Sequence, residues 1–254
     1  IIDIRENSDS SIVKEAKKQG VKIYRSHTVV DTFGYKKIKE ISIMELSKDG
    51  KSTVGEEIKI KCDCLGLAGG WTPAVHLFTQ SGGKLKFREE DEVFVPNKYP
   101  SNQISIGSCN GDFELDNIVK NCSTKLKEFL KVDNTEYDNL AVTNSKETNK
   151  KNIWLLPSNK EIGKTKPFVD YQNDATAKDI KLALREGFRS IEHVKRYTTT
   201  GMGTDQGKLG NMHALGIIAD TANVKMGELG TTTFRPPYTP LTFGTIVGRN
   251  VGEF

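Results

Sequence analysis

Two glycine turns hold the residues best placed for chemistry in this sequence. Gly69-Gly70-Trp71-Thr72-Pro73 follows the apolar run Cys62–Gly70, read as a buried strand, and precedes a short helix expected over Ala74–Gln80. Gly107-Ser108-Cys109-Asn110-Gly111-Asp112 has the same layout, between an expected strand Gln103–Gly107 and an expected helix Asn117–Leu130. Glycine lets a backbone come close to a phosphate or ribose, and a helix start offers free N–H groups to an anion. Either turn alone also fits a plain strand-to-helix connection. Two in one α/β segment point to a dinucleotide site, because ligands bind at the carboxyl ends of strands. No G-x-G-x-x-G is present, so a first phosphate-binding turn would lie upstream or not exist.

Other reactive residues read more plainly. Cys62 and Cys64 on one strand would share a face, and Cys109 and Cys122 add no matching pair, so core packing is expected and no metal. His27, His76 and His213 are isolated. His193 sits in Ser190-Ile-Glu-His-Val-Lys-Arg-Tyr197 without a partner legible in sequence, so no catalytic residue is assigned. Lys195 and Arg196 near a helix end complement its dipole or hold a phosphate or a partner carboxylate. Arg235-Pro236-Pro237-Tyr238 is stiffened by its prolines and suits an interdomain contact, with ligand contact as the other reading.

The elements that carry these residues follow from pattern. Ile1–Arg5 and Val21–Tyr24 read as strands around a helix Ser11–Gly20, a βαβ unit that implies a parallel sheet. Ile38–Leu46 and Ile58–Cys64 alternate across Asp49-Gly50, a hairpin signal. Residues 131–166 are rich in Asn, Lys, Glu, Ser and Thr and read as a polar linker, extended around Ile153–Leu156. Helical periodicity resumes at Thr176, where Asp179 completes a capping signal, and helices are expected to Gly187, over Ile191–Thr199 and over Gln206–Thr221. After Gly230, TTTFRPPYTP reads as an irregular crossing.

Composition bounds the class. The 254 residues are 36% hydrophobic and 28% charged, with a net charge of +4 and no basic stripe interleaved with aromatics, which argues against nucleic-acid binding. No apolar run reaches membrane-spanning length, and IIDIRENSDS has no signal-peptide layout. Four cysteines without a framework suit reduced thiols and a cytoplasmic location. The Ile start and the GRNVGEF end read as a fragment of a longer polypeptide.

Three long motifs, FVDYQNDATAKDI, EGFRSIEHVKRYTTTGMGTDQGK and GTTTFRPPYTPLTFGTIVGR, resemble the alpha subunit of heterotetrameric sarcosine oxidase. The upstream CDCLGLAGGWTPAVHLFTQSGGKL resembles the dinucleotide-binding domain of the same family. The resemblance implies an α/β, FAD/NAD-type dinucleotide-binding fold with a parallel sheet and a β-hairpin insertion, followed by a small all-α module. It implies the later part of an NAD-binding domain over 1–130, the linker over 131–166, a bacterioferritin-associated-ferredoxin-like module over 167–230, and the start of an aminomethyltransferase folate domain over 231–254.

In that family, sarcosine is oxidised to glycine on FAD in the beta subunit. Electrons pass to FMN at the alpha–beta interface and on to oxygen, giving hydrogen peroxide, and the one-carbon unit goes to tetrahydrofolate. Beta, gamma and delta subunits are the implied partners. NAD is the cofactor implied for this chain, at Gly69, Gly70, Gly107, Cys109, Asn110, Gly111, Leu115 and Asn117, with Asn110, Leu115 and Asn117 nearest to it. The ferredoxin-like pattern places C-x-C and C-x4-C where this sequence has Asp170, Gln172, Asp205 and Gly210, so no iron–sulfur cluster is expected. Relatives that oxidise proline, hydroxyproline or opines keep those cysteines, which favours the sarcosine branch. The alternative is an interaction or electron-transfer module of a related NAD- or flavin-dependent amine dehydrogenase complex.

Overall fold

The computed structural model describes residues 1–8, 10–100, 102–132, 152–158, 160–236 and 239–249. In chain order the elements are β1 (Ile2–Asp3), α1 (Ser11–Lys18), β2 (Tyr24–Arg25), β3 (His27–Gly34), β4 (Ile38–Leu46), β5 (Thr53–Lys61), α2 (His76–Gln80), β6 (Lys84–Arg88), β7 (Val93–Lys98) and α3 (Leu115–Leu130). They continue as β8 (Phe168–Asp170), β9 (Ala175–Thr176), α4 (Ala177–Arg185), α5 (Ile191–Thr198), α6 (Asn211–Ala222), α7 (Met226–Leu229) and α8 (Phe243–Val247). Among the described residues no helix is long and apolar enough to cross a membrane.

Two compact units interleave along the sequence: residues 1–73, 89–93 and 106–165 form one, and 74–88, 94–105 and 166–254 the other. In the first unit the expected βαβ is present. Ser10 accepts the Val13 N–H to start α1, and β1 pairs parallel with β2, Ile2 opposite Tyr24. The expected hairpin is the second half of a three-stranded antiparallel sheet in the order β3-β4-β5. The centre strand β4 buries Ile41, Ser42, Ile43 and Met44 consecutively, so both of its faces are covered there. The added strand β3 has its polar residues in adjacent pairs (His27-Thr28 and Asp31-Thr32) on either side of Val29-Val30, so no period-2 alternation marks it.

Two expected strands are corrected. Cys62–Gly70 is irregular and mostly exposed, with Leu67 at 76% and Trp71 at 84% exposure. The Cys62 N–H still reaches the Lys39 carbonyl, but β4 begins at Ile38 and offers no partner further on. Three glycines leave this run little side chain to bury. Cys64 is exposed and Cys62 half-buried, so they are not a shared core face. Gln103–Ile106 belongs to no described strand.

The second unit opens with the expected short helix, α2, two residues shorter than expected, and with the paired strands β6 and β7, which the pattern search passed over. Phe87 on β6 lies against Gly227 of α7, so this hairpin packs on the helical part. The helices behave as their apolar stripes require. Ala177, Ile180 and Ala183 of α4, Val194 of α5 and Leu215 and Ile218 of α6 are at most 2% exposed, and each large one contributes about 1.5–3 kcal/mol of burial. The capping box is complete: Asp179 N–H donates to Thr176 Oγ1 and the Asp179 carboxylate accepts the Thr176 N–H at 2.8 Å. α6 begins at Asn211, five residues later than the periodicity suggests, because Gln206 and Gly207 adopt positive φ and break the helix. α8 adds a short helix after the irregular crossing, whose Pro237 and Tyr238 lie outside the described residues, as do 133–151 of the linker.

Replacing Thr176 by Ala removes one half of the capping box and should cost about 1 kcal/mol of stability. Urea unfolding of the two proteins side by side measures it, and an unchanged midpoint would rule out the cap as a contributor.

Candidate functional site

The turn after Ile106 is a single 3-10 turn, Gly107–Asn110, closed by Gly111 at φ +78, which hands the chain on to α3. The N–H of Gly111 donates to Ser108, and that of Asp112 to Gly107. Cys109 Sγ donates to the Ile106 carbonyl, and Asn110 Nδ2 donates to the Asp112 carboxylate at 3.3 Å. Asn121 Nδ2, one turn into α3, reaches the same carboxylate at 3.4 Å. Asp112 thus ties the turn to the helix. Gly107 and Gly111 are buried, whereas Leu115 and Asn117 on the first turn of α3 are exposed.

Asp116, between them, is 9% exposed, and its Oδ1 has no hydrogen-bond partner among the described residues. A buried carboxylate oxygen without a donor is costly, and ribose hydroxyls are donors. The turn therefore fits a nucleotide on two grounds: glycine at the close approach and an acceptor waiting at the helix start. Sequence reading passed over Asp116 because its burial is not periodic; the acid in the first helical turn was the available signal. The other proposed glycines, Gly69 and Gly70, lie in the open 62–75 loop, where an added Cβ would meet nothing within 4 Å. That loop offers backbone reach but no built pocket.

In the second unit the four cysteine-equivalent positions are brought together by protein bonds. The Asp170 carboxylate accepts the N–H groups of Gln172 at 2.8 Å, Asn173 at 2.9 Å and, across 31 residues, Gly201 at 2.6 Å. Burial opposes its ionisation, but these N–H groups outweigh it and hold its carboxyl below the ordinary range. Gln172 Nε2 donates to Thr204 Oγ1 at 2.8 Å and Gln172 Oε1 accepts the Asp205 N–H at 3.0 Å. The Asp205 carboxylate accepts the Gly207 N–H at 3.0 Å. Gly210 has no room for a side chain, because a Cβ would overlap the Val169 carbonyl oxygen.

This donor set does not suit an iron–sulfur cluster: it offers no thiolate, its carboxylate faces are taken by N–H groups, and position 210 excludes any ligand. Gly201 and Gly207 line a slot for the Asn211 side chain, which donates to Gln206 O at 3.3 Å and Thr232 Oγ1 at 3.1 Å. Nearby, the His76 ring lies against that of Phe234, tilted by 49° with centroids 4.0 Å apart. Burial, with the Lys208 charge added and Asp205 opposing, lowers its pKa to about 4.

Comparison with known proteins shows what this region is similar to. Residues 164–249 match the model of the sarcosine oxidase A3 domain. Across its length the chain is similar to sarcosine oxidase alpha subunits: 32% identical to that of Corynebacterium sp. (strain P-1) over 100% of this chain, and 35% identical to that of Rhizobium meliloti (strain 1021) over 87%. The chain spans about a quarter of those relatives, 27% and 22% of their lengths. An L-proline dehydrogenase from P. horikoshii shares the fold, with a TM-score of 0.63 over 98% of this chain and 50% of its own, at 17% identity. The α/β reading with a following helical module therefore holds, and the A3 domain is the part with the polar network.

Two acid-side effects separate by pH. The unfolded chain protonates His76 near 6.5 and the folded one only near 4, so stability attributable to it falls as pH drops through that window. Asp170, with its folded pKa below the usual 3.8, contributes stability that is lost only at lower pH still. His76→Phe should flatten the loss between pH 6.5 and 4. Asp170→Asn, which sets an amide NH₂ against backbone N–H donors, should cost roughly 1–3 kcal/mol at neutral pH and flatten the loss below pH 4. Urea midpoints from pH 7 to pH 3 check both, and parallel curves for variants and parent would refute the assignment.

Proposed function

We propose that this chain is part of the alpha subunit of a sarcosine oxidase, acting in the oxidative demethylation of sarcosine to glycine with formation of hydrogen peroxide. The observation that carries this reading is the A3 domain match lying within a whole-length similarity to two sarcosine oxidase alpha subunits. On this reading residues 1–130 are the later part of an NAD-binding domain, 131–166 a linker, 167–230 the helical module and 231–254 the start of a folate-binding aminomethyltransferase domain. The partners are beta, gamma and delta subunits in the cytoplasm. FAD and FMN supply the two-electron chemistry in the complete complex, and tetrahydrofolate takes up the one-carbon unit. No residue of this chain is assigned to catalysis.

Its own residues bind and position. The turn Gly107–Gly111, with Cys109 and Asn110, gives the close backbone approach that NAD needs, and Leu115 and Asn117 present the exposed first turn of α3 to it. Asp116 supports the reading as an acceptor for a ribose hydroxyl. Gly69 and Gly70 are a secondary backbone contact. The helical module holds no iron–sulfur cluster and serves as a connector between the nucleotide and folate domains.

The test is made on the full-length protein co-expressed with its companion subunits. Sarcosine should drive peroxide formation, with less free formaldehyde when tetrahydrofolate is present. Turnover of proline or an opine but not sarcosine would instead assign a related amine dehydrogenase. Nucleotide released by acid from the purified complex should be NAD in near-equal molar amount. Asp116→Ala should weaken its retention about tenfold, the loss of one hydrogen bond to a charged group, and undiminished retention would remove Asp116 from the site.

A further inference from the structure

Lys195 on α5 is only 8% exposed, yet among the described residues its ammonium makes a single hydrogen bond, to the Thr233 carbonyl at 3.5 Å. That distance lies beyond the ordinary range for such a bond. A buried ammonium normally finds a carboxylate or several acceptors. The carboxylate beside it, Glu192, is already engaged: Oε2 lies 3.2 Å from Arg196 Nη1, and Oε1 accepts the Thr233 N–H at 2.9 Å. Burial lowers the Lys195 pKa, and the charges of Arg235 and Arg196 push the same way against Glu192. Arg196 and Arg235 are both close enough for their charges to act on Lys195, so three cations accompany one committed carboxylate, an excess of two positive charges. Thr233, Arg196 and Arg235 are all exposed.

We propose that Lys195, Arg196 and Arg235 form a binding site for a phosphate group, with the ammonium as its floor and the two guanidinium groups at its rim. A phosphate dianion matches the excess of two charges, whereas one carboxylate leaves half of it uncompensated. Guanidinium forks pair with phosphate oxygens in bidentate geometry, and the Lys195 ammonium gains the strong acceptor it lacks. The strap that carries Arg235 is fixed for this purpose: Arg235 N–H donates to Gln206 Oε1 at 3.1 Å, and Asn211 holds Thr232. Inorganic phosphate and a phosphate ester of a larger molecule share this chemistry.

Calorimetric titration of the full-length protein with inorganic phosphate, and separately with adenosine 5′-monophosphate, at constant ionic strength tests the site. Saturable 1:1 binding of phosphate is expected. Lys195→Met keeps the buried stem, removes the charge and should abolish binding while leaving the protein folded by circular dichroism. Arg235→Gln, on the exposed rim, should weaken it three- to tenfold. An ester that binds at least tenfold tighter than free phosphate makes the site one for an ester; equal affinities make it one for free phosphate. No saturable binding by the folded wild type, or unchanged binding in both variants, overturns the proposal.

Discussion

The buried Asp170 carboxylate is the interaction on which the A3 region depends. A carboxylate at 5% exposure is tolerable only if its oxygens are occupied, and three backbone N–H groups occupy them. Two of those groups are local and shape the turn after β8. The third belongs to Gly201, so one charge pins the loop between α5 and α6 to the start of the domain. With Gly201 fixed, Gln172 reaches Thr204 and Asp205, and Gly207 closes over Asn211. Asn211 and Gln206 then hold Thr232 and Arg235, so the segment leaving the helices takes its course from a carboxylate about sixty residues earlier.

This arrangement joins the loops that carry positions 170, 172 and 205 through hydrogen bonds between them. Iron–sulfur ligation would tie the same two loops through metal bonds; here charge-assisted hydrogen bonds do so. The closure is steric as well as polar, since the Val169 carbonyl occupies the space a side chain at 210 would need. On the proposed reading a region fixed in this way serves as a connector, and the cations beside Lys195 are its proposed site for recognising charge.

Sequence exposed what is local. The Thr176–Asp179 capping box, the Ser10 cap and the hairpin around Asp49-Gly50 each complete themselves within a few residues, and each stands in the structure. It failed where the outcome depends on a distant partner. Cys62–Gly70 is apolar enough for a strand, but no neighbouring strand continues beside it, and it lies open. The strand β3 is little buried, with Thr28 alone fully covered, and β6 packs on α7, which comes more than a hundred residues later. At the candidate sites, residue types at 170, 172, 205 and 210 were legible. The bond from Asp170 to Gly201, the orphaned oxygen of Asp116 and the burial of Lys195 were not, because each is a property of packing rather than of spacing.

The claim to test is that hydrogen bonds centred on Asp170 join the two loops of the helical module, on the proposed reading without a metal cluster. Iron and acid-labile sulfide analysis of the full-length complex purified without oxygen, read with its reduced electron paramagnetic resonance spectrum, tests it most directly. The account predicts neither iron nor sulfide assignable to this subunit and no [2Fe–2S] signal in a fully folded protein. Two irons and two sulfides per alpha subunit, with the matching signal and loss of the fold on chelation, would contradict it.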